Sequence, residues 1–355
     1  MLLSDFDYHL PEELIAQRPL EDRAASRMLV LYRREQRWED RAFRELPQFL
    51  SPGDCLVLND SKVFRSRLYG RREGVRSLPV GKRNPARHEH LQGKVEVFLV
   101  RPCASDPRVW TALVHPGRKM HLGERVHFDE GLTAEVIKRG EFGERTLRFD
   151  HDGDLVEVFN RIGHVPLPPY IHREDEAADR DRYQTVFARE PGSVAAPTAG
   201  LHFTPEVLDA CRAAGAAVAR VTLHVGLGTF QPIRTEVVEE HKLHSEFFEV
   251  TEETAASMRS ASRLVAAGTT SVRTLETMGL RGGLTAARGD TDIYIYPGFR
   301  FRHVGAMLTN FHLPRSSLLL LVSAFAGREF TLAAYRHAVE ARYRFFSYGD
   351  SMLIL

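Results

Sequence analysis

Between residues 62 and 155 no segment shows the three-to-four-residue apolar spacing that a helix of ordinary length requires. The stretch carries instead short, partly alternating runs: Lys94 to Val100, Val109 to Val114, Glu124 to Phe128, Thr133 to Lys138 and Arg145 to Phe149. Gly, Pro or Asp separates them, which is the pattern of a small antiparallel sandwich or barrel. A chain with a β unit in its middle must build any helix-bearing layer from its two ends.

The ends are suited to that. Met28 to Tyr32 and Cys55 to Leu58 are short apolar runs bounded by turn residues, hence strands. Pro11 to Gln17 reads as a short helix with proline and acids in its first turn, and Phe43, Leu46, Phe49 and Leu50 recur at helical spacing. Beyond residue 156 helices and strands alternate. Thr204-Pro205-Glu206 opens a helix ending near Gly215, and Val218 to Val225 forms a strand. A second unit runs from Glu252 to Val265-Ala266-Ala267 and a turn at Gly268; Thr331 caps a last helix ending near Arg342, and Met352 to Leu355 closes the set as a strand. The expected fold is α/β: a discontinuous main domain, 1–61 and 156–355, with a small antiparallel sandwich or barrel, 62–155, inserted in it.

Composition narrows the function. The 355 residues carry a formal net charge of +1, so no global field marks a nucleic-acid or membrane binder and any such contact must be local. Cys55, Cys103 and Cys211 lie too far apart for a zinc ribbon or a disulfide framework. The acidic opening is unlike a signal peptide, and Leu318 to Ala326 is too short to span a bilayer, so a cytoplasmic protein is expected.

Several segments are rich in His, Arg, Gly and Thr where a purely structural element needs none of them. Ala195 to Thr204 leads into a helix start whose free backbone N–H groups suit a carboxylate or other anion, although as structure alone it is a loop and a cap. His224-Val225-Gly226-Leu227-Gly228 follows a strand; its glycines let backbone approach a ligand, but Pro232 stands where a dinucleotide fingerprint needs a third glycine and a helix. His244, Glu246 and Phe248 share one face of an extended segment, so His244 and Glu246 form a candidate acid/base pair. His241 and His244 lack the further ligands of a metal site, and no metal is expected. Gly268 to Glu276 runs from a strand through Thr269, Thr270 and Ser271 into a helix, with Arg273 as a planar donor for a carboxylate or phosphate. Tyr294 and Tyr296, then Asn310 and His312, suit a flat heterocycle by stacking and edge hydrogen bonds; the alternative is a core strand with an aromatic pair.

Residues 62–94 hold ten Lys or Arg against Glu73 and Glu89, a local charge of about +8. Lys62, Arg65, Arg67, Arg71, Arg72 and Arg76 are the candidate contacts to an RNA phosphate backbone, the alternative being a solvated insertion.

The order of these motifs resembles the S-adenosylmethionine:tRNA ribosyltransferase-isomerase family (QueA). The matching stretches are Leu10 to Gln17, Gly163 to Ile171, Tyr183 to Phe187, Ser193 to Thr204, His224 to Pro232, His244 to Glu246, Gly268 to Glu276, Tyr296 to Phe299, Thr309 to Pro314, Leu321 to Gly327 and Tyr343 to Asp350. Two departures stand out. Asn59-Asp60-Ser61-Lys62-Val63 replaces the family's usual Asn-Asn/Asp-Thr-Arg-Val, and Arg71 to Gln92 is longer and more basic than is usual.

The resemblance implies a complex α/β domain from both chain ends with a small antiparallel β-barrel inserted between them, and a reaction. The aminomethyl group of a 7-deazaguanine at the tRNA wobble position receives the ribosyl unit of S-adenosylmethionine, which rearranges to an epoxy-cyclopentane diol while adenine and methionine leave. S-Adenosylmethionine is then a consumed substrate rather than a cofactor, and the expected partners are that tRNA and no membrane, with the protein a monomer. For the site it implies Thr198, Gly200, Gly226, Gly228, Thr269, Thr270, Ser271 and Arg273 around S-adenosylmethionine. The Arg273 guanidinium and the Gly268 to Ser271 loop would take the methionine carboxylate. His202 and His224 are the candidate base and adenine acid, His244 with Glu246 the alternative base pair, and Asn310 and His312 the readers of a base edge. Two other functions compete: an S-adenosylmethionine-dependent RNA methyltransferase, which would release S-adenosylhomocysteine, and a non-catalytic RNA-binding protein.

Overall fold

A computed structural model describes residues 1–74, 93–103, 105–140, 143–226 and 233–355. The chain divides into two compact units, Met1–Lys62 with Pro168–Leu355, and Val63–Leu167.

The first unit is built on a nine-stranded sheet. Its order is Ala287–Thr291, Glu246–Val250, Ala217–Leu223, Asp54–Asn59, Arg263–Ala267, Val304–Asn310, Ser351–Ile354, Arg27–Tyr32 and Arg37–Ala42. The four central strands, from Ala217–Leu223 to Val304–Asn310, are parallel, and the others add antiparallel neighbours at both sides. Ser351–Ile354 and Arg27–Tyr32 are also mutually parallel, which ties the two ends of the chain together. Parallel strands are covered on both faces, and their sequences are accordingly near-continuous apolar runs. Leu29, Leu31, Cys55, Val57, Val221, Ala266 and Met307 point into one core with helices Thr269–Leu280, Ser317–Ala326 and Arg328–Glu340. Met28, Val30, Leu56, Leu58, Val265 and Leu308 point into the other, with Pro205–Ala213.

Local chemistry explains the helix starts. The Thr204 hydroxyl accepts from Val207 N–H with Pro205 in the first turn, and the Ser316 hydroxyl accepts from Leu319 N–H. The last helix begins at Arg328, not at Thr331: Gly327 caps it, while Thr331 is fully buried inside the helix and donates its N–H to the Gly327 carbonyl. The expected helices at Pro11 to Gln17 and Phe43 to Leu50 are 3-10 turns, Glu12–Leu14 and Phe43–Phe49, the latter interrupted by Pro47. Among the described residues no single helix is long and apolar enough to cross a membrane.

The second unit is a closed six-stranded antiparallel barrel. Its strands, in order around it, are Glu144–Asp150, Asp106–His115, Lys94–Cys103, Arg67–Arg72, Arg125–His127 and Thr133–Arg139. Arg67–Arg72 hid in the basic stretch because its outward positions are charged. The unit ends at Leu167, twelve residues later than periodicity implied, because helix Leu155–Ile162 belongs to it. Phe159 of that helix packs edge-on against Trp110 at 5.3 Å and Phe149 at 5.0 Å.

Glu276, fully buried, accepts hydrogen bonds from the backbone N–H groups of Arg302, Val304 and His303 at 2.7, 2.9 and 3.0 Å. It fixes the entry to the strand Val304–Asn310. Glu276→Ala strands three backbone donors, that of Val304 fully buried, so urea unfolding should show a loss of about 2 kcal/mol.

Candidate active site

In open sheets with parallel strands, ligands bind in the crevice outside the carboxyl ends of those strands. Here the four parallel strands deliver the chemistry-bearing segments to that one edge. Asp54–Asn59 ends at Asp60, Ala217–Leu223 at His224 and Gly226, Arg263–Ala267 at Gly268 to Arg273, and Val304–Asn310 at Asn310 to His312. The 3-10 turn Thr198–His202 joins them: a Cβ on Gly268 would lie 3.6 Å from that of Ala199.

His202 is held on both ring nitrogens. Asn310 Nδ2 lies 3.1 Å from Nε2 and Ser26 Oγ 2.7 Å from Nδ1. Because the amide can only donate, the network assigns the proton to Nδ1, which donates to Ser26. Phe43 covers the ring at 5.1 Å. Burial, then the Arg23 and Arg344 guanidiniums, push its pKa down to about 3. The ring is therefore neutral, with both nitrogens engaged by Ser26 and Asn310. Its other surroundings form a small, solvent-open pocket with Pro19, Leu20, Arg23, Arg182 and Tyr348 in the wall.

His224 differs. Its ring stacks on Phe247, centroids 5.7 Å apart, and fills the space beside Gly192, where a Cβ would come within 2.9 Å of Nε2. Nδ1 is buried with no hydrogen-bond partner among the described residues. Burial lowers its pKa, and Glu190 and Glu249 partly oppose that. A neutral imidazole with one unengaged nitrogen is a competent general base.

Glu246 and Arg273 form a buried ion pair, Glu246 Oε2 to Arg273 Nη1, with the two side chains 3% and 6% exposed. The other carboxylate oxygen accepts from Gly226 N–H at 2.8 Å. Glu246 is thus paired with Arg273; His244 is exposed and precedes the strand Glu246–Val250. Arg273 in turn is not an open bidentate anchor. Its Nη1 holds Glu246, Nε reaches the Ile293 carbonyl at 3.4 Å, and Nη2 is buried without a partner among the described residues. The Thr270 hydroxyl on the first turn of the same helix is likewise buried and unpartnered, whereas Ser271 bonds back to the Ala267 carbonyl at 2.9 Å.

The remaining candidates divide. Asn310 and His312 are buried and engaged internally. Asn310 Nδ2 also donates to the Phe346 carbonyl at 3.0 Å, and His312 Nε2 contacts Thr309 Oγ1 at 2.8 Å. Asn310 Oδ1 is buried with no hydrogen-bond partner among the described residues. Gly200 is required by packing, since a Cβ there would lie 2.7 Å from Thr185 and 2.9 Å from Phe187; Thr198 is half-buried at the start of the turn, and Thr269 is buried at the helix start. Gly228 and Arg76 lie outside the described residues. Of the basic candidates, Lys62 and Arg71 are exposed and Arg65 is half-buried. Arg67 is paired with Glu96 at 3.0 Å and Arg72 is buried, so these two are not open to a phosphate.

Sequence reasoning missed Asp60. Fully buried, it accepts from the Thr222 hydroxyl at 2.7 Å and faces Arg189 at 3.1 Å, and burial pushes its carboxyl up. The signal available was a carboxylate directly after an apolar strand.

A family model described as queuosine biosynthesis protein matches residues 3–354. The chain belongs to the queuosine biosynthesis family. Relatives match over their full length. The chain is 69% identical over 355 residues to a protein of Solibacter usitatus named S-adenosylmethionine:tRNA ribosyltransferase-isomerase, with 100% of both covered. It is 50% identical over 361 residues to the protein of that name from Symbiobacterium thermophilum, again with 100% of both covered. A solved structure from Thermotoga maritima, described as an S-adenosylmethionine tRNA ribosyltransferase, matches 99% of this chain and 100% of its own at 40% identity, with a TM-score of 0.55. Membership of the queuosine family thus accounts for both the barrel and the α/β unit.

Two predictions follow from the site. His202 and His312 both have folded pKa values near 3, below the ordinary 6.5, so the stability they contribute is complete above 6.5 and is lost as pH falls toward 3. In His202→Gln the slope of unfolding free energy against pH over that window should be shallower by one proton. Arg273→Ala leaves a buried carboxylate unpaired and should cost about 3–5 kcal/mol in chemical denaturation, with Glu246→Gln/Arg273→Ala less than additive.

Proposed function

We propose that the protein is an S-adenosylmethionine:tRNA ribosyltransferase-isomerase. It transfers the ribosyl unit of S-adenosylmethionine to the aminomethyl group of 7-aminomethyl-7-deazaguanine at the tRNA wobble position. The product is epoxyqueuosine-tRNA, released with adenine and methionine. The observation that carries this reading is full-length 69% identity to a relative of that name. S-Adenosylmethionine is consumed as a substrate, and no further cofactor enters. The protein acts as a monomer in the cytoplasm, on tRNA.

The reaction sets demands that this edge of the sheet can meet. The sulfonium acidifies the neighbouring ribose carbon, so a neutral base there starts the rearrangement. His224 suits that role because its Nδ1 is unengaged and burial keeps the ring unprotonated. The methionine carboxylate needs N–H or O–H donors. The start of helix Thr269–Leu280, the unpartnered Thr270 hydroxyl and Arg273 Nη2 offer them, with Glu246 holding the guanidinium in place. Adenine departs with the electron pair of its bond to the ribose. The cavity beside His202 has apolar Pro19, Leu20 and Leu201 with the cations Arg23 and Arg182, which suits a flat base carrying developing negative charge.

Product analysis tests the reading. The purified protein with substrate tRNA should release adenine and methionine in equal amounts; S-adenosylhomocysteine in their place would make it a methyltransferase. His224→Ala should slow adenine release by about a hundredfold or more, and near-normal turnover would remove His224 from the mechanism.

A further inference from the structure

The barrel unit carries an arrangement of charge that its own folding does not explain. Antiparallel register sets Lys94 directly opposite Arg71, and Arg71 directly opposite His127. All three side chains are exposed, and each lies beside a buried neighbour that points inward: Val95, then Gly70 and Arg72, then Val126 and Phe128. They form one transverse row on the outer face of three adjacent strands.

Like charges directly opposite one another destabilise a sheet. Nearby cations on that face are neutralised, Arg67 by Glu96 at 3.0 Å and Arg125 by Glu135 at 3.8 Å. Lys94 and Arg71 are not. Among the described residues neither they nor His127 make an ion pair, and Glu73, the next outward residue along the strand, pairs with none of them. The Lys94 ammonium is nevertheless kept on the row. It sits 4.4 Å from the centre of the Tyr69 ring, which His164 braces edge-on at 5.0 Å. A row held against its own repulsion is complete only when a polyanion supplies the negative charge.

We propose that this row is a docking surface for the phosphate backbone of the substrate RNA, gripped by Lys94 and Arg71 with His127 as a further donor. Neighbouring strands lie about 4.8 Å apart, so the two cations reach one phosphate or two successive ones. The surface differs from the basic set expected from sequence: Arg67 and Arg72 drop out, and Lys94 and His127 enter. The inference rests on the reading that the protein acts on tRNA.

The test compares two double charge reversals in the full chain with the same change in net charge. Arg71→Glu/Lys94→Glu removes the row, whereas Lys138→Glu/Arg148→Glu changes exposed cations on two other barrel strands. Binding of unmodified tRNA transcript is measured over a salt series, with KM for tRNA and for S-adenosylmethionine. The row variant should bind roughly tenfold or more weakly, and its salt slope should fall by about 2. Its KM for tRNA should rise while that for S-adenosylmethionine holds, and the control pair should stay near wild type. Equal behaviour of the two double variants overturns the proposal. The single variant Arg71→Glu, which sets a carboxylate opposite Lys94, should raise Tm; an unchanged or lower Tm removes the repulsion on which the proposal stands. A wild-type protein that fails to turn over S-adenosylmethionine on tRNA refutes the functional reading instead, whatever the row does.

Discussion

Burial of the central parallel strands on both faces is the constraint from which the site follows. Two covered faces leave the strands no solvated side, so functional side chains can emerge only where strands end. Asp60, His224, the Gly268 to Arg273 helix start and Asn310 all lie at such ends, delivered by strands that are otherwise apolar. Asn59 holds two of those ends in register: its side chain donates to the Leu223 carbonyl at 2.9 Å and accepts from the Leu223 N–H at 3.0 Å.

Within that edge, polar groups fall into two kinds. His202 and His312 have ring nitrogens held by protein partners, and they position loops. His224 Nδ1, Thr270 Oγ1 and Arg273 Nη2 are buried and lack a partner among the described residues. Buried unsatisfied groups are costly, and a ligand at this edge would complete these three. The Glu246–Arg273 pair belongs to both kinds, since it is satisfied internally on one nitrogen and open on the other.

The fold was legible because its signals were periodic. The barrel strands from Lys94 to Asp150, the Thr204 cap and the apolar runs at residues 28 and 55 all appear where the patterns place them. Arg67–Arg72 and Arg37–Ala42 escaped because charged outward residues mask the two-residue period. The site was legible by segment but not by role. Chain order shows that Gly268 to Glu276 opens a helix; it cannot show that Glu246, twenty-seven positions before Arg273, occupies the guanidinium. Nor can it show that the two histidines at 202 and 224 differ: one is held on both nitrogens, the other has one open. Those distinctions are set by contacts between segments far apart in the chain.

The central claim is that the ribosyl carbons, not the methyl group, of S-adenosylmethionine end in the RNA. The most direct measurement is to incubate the protein and wobble-deazaguanine tRNA with S-adenosylmethionine labelled either in the ribose or in the methyl group, then digest the RNA to nucleosides. Ribose label in the modified nucleoside, with methyl label recovered only in free methionine, is the predicted result. Methyl label in the RNA would contradict it.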